Sequence, residues 1–299
     1  MRVDPNFVTN LSGSLDQSQM VEANLTAQLS SGLRVTSLAD DPVAAAQASM
    51  IGSEIAEEDN YVQTASSDSS MLQVTDSTLG EVVTELTSAL TLAVQGSNGT
   101  LDAANLSTIA QQLTGIRDQV LSLANTSYQG NYLFAGSLGS TKPFTVDTST
   151  TPATVSYVGD TNVQYVTTPA GQKIQMNLPG SAIFGAGSAG VLGALNQLIA
   201  DFSSGAAGAT SVADTSALTT ALGQLSDQRS ILDSSLSRLQ ATSTYAQTEE
   251  AQLKVQQSNL VASDTASVAT QLNSAEVQNQ ALMNVMSAVG KNDLFDYLQ

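Results

Sequence analysis

Apolar residues recur along the C-terminal third of the chain at strict seven-residue spacing: Leu218, Leu225, Leu232, Leu239, Ala246, Leu253 and Leu260. Leu222 and Leu236 fall four residues after a ladder position. A repeat of this period keeps one stripe on one side of a helix and demands a partner helix along it. Neither glycine nor proline occurs from Gln224 to Val289, so an uninterrupted helix is expected there, about 100 Å long at the α-helical rise. Near residue 261 the ladder changes phase. Val261, Val268, Ala275, Leu282 and Val289 continue at spacing seven, with Leu272 and Met286 four residues after a ladder position. A drifting stripe rotates around its helix, and the rotation predicts a change of partner. The first half is expected to pack on the second and third helices, the last part on the first.

The same patterning predicts the other elements. Asn6 to Ser30 reads as a helix whose stripe is Val8, Leu11, Leu15, Leu25 and Leu29, with Ser18 and Glu22 as polar interruptions. Asp41 and Pro42 suit the N-cap and first turn of a second, long helix. Its seam runs through Ile51, Ile55, Val62, Ala65, Leu72, Leu79, Val83, Leu86 and Leu90, and Gly96-Ser97-Asn98-Gly99 closes it. A third helix carries Leu106, Ile109, Leu113, Ile116, Val120 and Leu123. After Tyr128 the character changes. Segments 143–146, 154–158, 164–166 and 173–176 read as short strands, with turns at Gly159-Asp160 and Ala170-Gly171. Val191 to Phe202 reads as a short helix, and Ser203 to Gly208 as a loop before the long one. Many Ser, Thr, Asn, Asp and Val residues lower helix propensity, so the terminal helices should be marginal without partners.

Composition narrows the function. The formal charge is -18, from 27 acidic and 9 basic residues. Such a surface repels nucleic acid and anionic membrane, whose binding needs cationic groups. Cysteine and histidine are both absent. Disulfides, thiol chemistry, zinc sites of the usual kinds and histidine-dependent triads are thereby excluded. No apolar run is long enough to span a bilayer, and the start Met1 to Asn6 lacks the apolar core of a signal peptide.

Isolated motifs have plainer explanations. Gly185-Ala186-Gly187-Ser188-Ala189-Gly190 spells a dinucleotide fingerprint, but no strand–helix–strand unit surrounds it, so it reads as a loop. The stretch Gly136 to Lys142 has the wrong spacing for a phosphate loop. Asp40-Asp41 reads as helix capping rather than a metal pair, and Glu57-Glu58-Asp59 and Glu249-Glu250 as solvated surface. No catalytic, cofactor-binding or metal-ligating set is expected, and no cofactor.

Two stretches carry a resemblance. Leu29-Ser30-Ser31-Gly32-Leu33-Arg34-Val35, followed by Ser37-Leu38-Ala39-Asp40-Asp41-Pro42-Val43-Ala44, resembles the N-terminal signature of the bacterial flagellin family. Ser258-Asn259-Leu260 and the polar heptad helix after it resemble the family's C-terminal region. Asp41 to Ala46, Gly130 to Ser137, Leu178-Pro179-Gly180, Ile183-Phe184-Gly185 and the ending Leu294 to Leu298 resemble the family member placed where hook meets filament.

The resemblance implies a mainly α fold with a small β-rich insertion: a long antiparallel helical bundle and coiled coil built from both chain ends. The expected domains are a terminal coiled coil (1–35 plus 262–299), a helical bundle (36–135 plus 190–261) and a β-rich outer domain (136–189). The implied role is a structural, non-enzymatic adaptor at the flagellum. Its partners would be hook-associated protein 1 on the hook side, flagellin on the filament side, further copies in a ring, and an export chaperone. Export through the flagellar secretion apparatus, without a cleaved signal peptide, would place it outside the cell. The expected assembly residues are Leu11, Leu15, Leu25, Leu29, Val268, Leu272, Ala275, Leu282, Met286 and Val289. A flagellin, the filament subunit itself, is the alternative. A surface protein binding glycan or peptide through Tyr157 and Tyr165 is the remoter one.

Overall fold

The computed structural model describes residues 5–294, apart from 186–189 and 206–208. The side chains of Val8 and Val289 lie outside the description, as do most of the Gly185–Gly190 stretch, the end of the Ser203–Gly208 loop and the ending from Phe295 onward. The chain is mainly helical. Its elements are α1 (Pro5–Ser31), α2 (Pro42–Gly96), α3 (Ala103–Ala124), β1 (Ser127–Tyr128), β2 (Asn131–Tyr132), β3 (Phe144–Asp147), β4 (Thr154–Tyr157), β5 (Tyr165–Thr167), β6 (Lys173–Gln175), α4 (Gly180–Ile183), α5 (Val191–Ser203), α6 (Ala209–Val261) and α7 (Thr265–Leu294). They fall into two compact units, residues 58–248 and residues 1–57 with 249–299.

The unit 58–248 holds the large core. The α6 ladder is buried as its spacing requires, with Leu218, Leu225 and Leu239 wholly inaccessible. It shares one apolar cluster with Leu72, Leu79 and Leu86 of α2 and with Leu106, Leu113 and Val120 of α3. On α2 the deepest residues include Val82, Ala89 and Ala93, while Val83 and Leu90 pack at the edge. Small residues there let neighbouring backbones approach closely, and they escape a reading keyed to large side chains. Asp102 caps α3 by accepting from the Asn105 N–H at 2.8 Å. Arg117, on the buried face of α3, directs its guanidinium to Asp118 Oδ1 at 2.8 Å and Asn196 Oδ1 at 3.4 Å. Tyr61 and Thr242 join hydroxyls at 2.6 Å between α2 and α6.

The β-rich part is three two-stranded antiparallel hairpins, β1–β2, β3–β4 and β5–β6. In β3–β4 the register pairs Phe144 with Tyr157 and Asp147 with Thr154. The β1–β2 hairpin was not expected from the sequence. Its turn is Gln129-Gly130, both with positive φ, the backbone a two-residue hairpin needs. Segments carrying the family resemblance meet here. The Phe134 and Phe184 rings stand edge to face, centroids 5.2 Å apart. Phe144 packs on Phe184 at 5.3 Å, and the Gly180 N–H donates to the Phe134 carbonyl at 2.9 Å.

One expectation is corrected in the other unit. The helix expected to run unbroken from Gln224 to Val289 stops at Val261, and α7 begins at Thr265. The break needs no glycine or proline because local groups and a distant strand of backbone satisfy it. Asp264 Oδ1 accepts from the N–H groups of Ala266 and Ser267 at 3.1 and 3.2 Å, an N-cap for α7. Ser263 N–H donates to the Gly32 carbonyl, and the Val261 carbonyl accepts from Arg34 N–H at 2.7 Å. The phase change of the ladder thus coincides with a true end of helix.

Candidate assembly site at the paired chain ends

α1 and α7 lie side by side and antiparallel: Leu33 bridges Ala262, while Asn279 Nδ2 donates to Glu22 Oε2 at 2.7 Å. Each contributes a heptad stripe, as the spacing requires for two helices that share one seam. Leu25, Val268 and Ala275 are buried together with Leu272 packed against them. Leu15 is buried too, and Leu11, Leu282 and Met286 are half-buried. Leu29 does not join the cluster. It is 39% exposed, while Gln28 beside it is half-buried. The structure therefore brings together four of the ten expected residues in one apolar patch, lines others along the same helices, and leaves Leu29 outside it.

The middle of the seam is polar. Glu22 and Ser18 fall on the α1 stripe and Asn279 on that of α7. Ser18 is buried, and its Oγ and the Asn279 Oδ1 have no hydrogen-bond partner. An unpartnered buried polar atom costs about 1–3 kcal/mol, so this layer weakens the pair while favouring the alignment that sets Asn279 against Glu22. Asn279 was missed in the sequence because it interrupts an otherwise apolar ladder, although its spacing from Ala275 and Leu282 places it on the same face.

A clasp closes the pair. Arg34 donates from Nη2 to the Leu260 carbonyl at 3.1 Å and from Nη1 to Asp41 Oδ2 at 3.2 Å. Asp41 also accepts from the Ala44 N–H at 3.0 Å, capping α2. The Ala44 N–H first, and then Arg34, hold its carboxyl below the ordinary carboxylate range. Asp40 does not cap the helix as expected. It accepts from the N–H groups of Thr36 and Ser37 and from the Thr36 hydroxyl, which staple the 36–40 turn and lower its pKa. Gln257 Nε2 donates to the Ala48 carbonyl at 2.9 Å, tying the end of α6 to the start of α2.

Around the clasp, large apolar side chains stay open to solvent, among them Leu38, Val43, Met50 and Val255, each at least 60% exposed. Clustered exposed apolar groups mark sites of association. Among the described residues no group of three or more acidic side chains is placed to hold a metal ion, and no helix is long and apolar enough to cross a membrane. Tyr157, named for the remoter reading, has its hydroxyl within hydrogen-bond distance of the Asp160 and Phe134 carbonyls. Tyr165 is 55% exposed.

Comparison with known proteins matches residues 7–138 to the bacterial flagellin N-terminal helical region. Flagellar hook-associated protein 3 of Salmonella typhimurium is 35% identical over 139 residues, 46% of this chain and 44% of that protein. The protein of the same name from Escherichia coli is 36% identical over 118 residues, 39% of this chain and 37% of the relative. The chain thus spans less than half the length of the curated relatives it matches. Among solved structures, a flagellar hook-associated protein from Vibrio parahaemolyticus superposes with a TM-score of 0.65 at 19% identity, covering 75% of this chain and 100% of that one. FlgL of Xanthomonas campestris gives 0.59 at 17% identity, covering 69% and 97%. These two share the fold.

Proposed function

We propose, from the premise that the chain belongs to the bacterial flagellin family, that it is a structural adaptor between the flagellar hook and the filament and not an enzyme. The observation that carries the reading is the pairing of α1 with α7 through a single apolar stripe, in a chain similar to hook-associated protein 3. A two-helix seam buries little and leaves its outer faces free, which suits an element that gains stability by packing against further copies. On this reading a terminal coiled coil (1–35 plus 262–299) assembles, a helical bundle (36–135 plus 190–261) supports it, and the β-rich segment 136–189 lies outermost. Leu11, Leu15, Leu25, Val268, Leu272, Ala275, Leu282 and Met286 hold the assembling element together. Leu29 and Val289 complete the set expected to take part in assembly. Hook-associated protein 1 would sit on one side, flagellin on the other, and further copies would complete a ring. Export would follow the flagellar secretion route with the help of a chaperone, leaving the protein at the flagellum outside the cell.

Two experiments test it. A strain lacking the protein should grow hooks without filaments, and the intact gene should restore them. A restored strain carrying Leu282→Asp should again lack filaments, because a charge enters the seam. Filaments on the deletion strain would overturn the adaptor role. The purified protein should not form long filaments alone; if it does, the flagellin reading replaces this one.

A further inference from the structure

The turn between α2 and α3 holds the one Asn-Gly pair in the sequence, Asn98-Gly99. Both residues are exposed. The Asn98 N–H is held weakly, by the Gln95 carbonyl at 3.4 Å. Neither the Asn98 side-chain amide nor the Gly99 N–H has a hydrogen-bond partner among the described residues. Gly99 has φ of +67°, and nothing lies within 4 Å of the place a Cβ would take. Nucleophile and electrophile are therefore adjacent in sequence, unshielded, and joined by a residue free to rotate.

We propose that Asn98 is a site of spontaneous covalent modification, deamidation through a cyclic imide. The Gly99 nitrogen bonds to Cγ of Asn98. The bond from Cγ to the side-chain nitrogen breaks, and that nitrogen leaves as ammonia, carrying the proton lost by Gly99. Water then opens the ring at one carbonyl or the other, giving aspartate or isoaspartate. Water is the only co-reactant. Asparagines within helices are protected, because the next N–H is locked in the helical ladder. Asn273, followed by the small Ser274 within α7, is a built-in comparison.

The product places a carboxylate at the C-terminal end of α2, where the open carbonyls already make the field negative. Ser97, the neighbouring residue, donates from Oγ to the Ala93 carbonyl at 2.7 Å and lies 3.4 Å from the Thr215 hydroxyl of α6. The new charge thus arises at a packed end of the bundle, and isoaspartate lengthens the backbone there.

The test is incubation of the folded, full chain at neutral and mildly alkaline pH, followed by peptide mapping and isoaspartate assay. Asn98 should be converted faster than Asn273 by about tenfold or more, the rate equivalent of roughly 1.4 kcal/mol of barrier. The rate should rise with pH, since the Gly99 nitrogen must lose its proton, and the product should be a mixture of both isomers. Gly99→Ala should slow the reaction. Asn98→Gln, which leaves the turn's backbone alone but requires a larger ring, should abolish it even if Gly99→Ala does not fold. Asn98 surviving as long as Asn273, or yielding aspartate alone, would overturn the proposal.

Discussion

In α6 the ladder residues Leu218, Leu225, Leu232 and Leu239 are at most 2% exposed. On α7 the ladder residues Val268 and Ala275 are buried less completely, at 6% and 7%, and the next one, Leu282, stays half-buried, as do Leu272 and Met286, each four residues after a ladder position. The pattern in the sequence is equally regular in both regions; what differs is how many partners each helix has. The α6 stripe meets a cluster drawn from α2, α3 and α5, so the ladder is covered from several directions. The α7 stripe meets α1, and a single neighbour covers only the centre of a stripe. Regular spacing therefore specifies which face is apolar, whereas depth of burial depends on the company the fold provides.

The sharpest way to break this comparison is to truncate one leucine in each region. Leu225→Ala should cost about 2–5 kcal/mol, as for other fully buried leucines, and lower the thermal midpoint of the free protein clearly. Leu272→Ala should cost much less by the same calorimetry. Equal losses would mean that α1 and α7 are as well covered as the bundle.

A smaller effect should come from the polar layer. Replacing Glu22 and Asn279 together by leucine removes the unpartnered Asn279 Oδ1 and should stabilise the α1–α7 pair, by an amount on the order of 1 kcal/mol. Disulfide-trapping of cysteines placed along α1 and α7 should then report more than one alignment. A single alignment would show that the clasp, not the polar layer, sets the register.

Within the bundle, acid titration offers a third probe. Burial, and then the nearby Asp201 carboxylate, push the Asp214 carboxyl from its ordinary 3.8 up to about 6. Between those values the folded state holds a proton that the unfolded chain has released. The contribution is therefore fully present below 3.8 and lost as pH rises through about 6. Asp214→Asn removes this dependence. Its thermal midpoint should exceed that of the natural protein above pH 6, and the gap should close as pH falls toward 3.8. The smallest expected signal is dynamic: amides of α1 and α7 should exchange with solvent faster than those of α3, because fewer apolar contacts guard them.

Much of this was legible in the sequence because helix stripes are long and redundant. One misplaced residue does not hide the ladder from Leu218 to Leu253. What escaped notice was short or polar. The break at 262–264 was hidden by the absence of glycine and proline, although Asp264 ahead of Thr265 is a capping signal that could have revealed it. The β1–β2 hairpin turns on Gln129, a residue rarely found with positive φ, so its local sequence gives no warning. Arg117 reads as a surface charge until Asp118 and Asn196 are seen beside it. At the candidate site, the apolar half of the seam followed from periodicity, while the Glu22–Asn279 contact depended on alignment between distant segments, which periodicity does not encode.

The clasp also bears on the order in which the molecule comes together. Arg34 and the Leu260 carbonyl are 226 positions apart in the chain. Closing a flexible loop of that length costs on the order of 5 kcal/mol in chain entropy, whereas α3 and α5 are joined by residues 125–190, a connection less than a third as long that folds into hairpins of its own. Nearby contacts form first and distant ones wait until the intervening chain is compact. The bundle should therefore collapse early, and α1 should remain unpaired until α7 arrives. Refolding followed by pulse-labelling exchange should find α1 protected last, although it precedes the bundle helices in the chain.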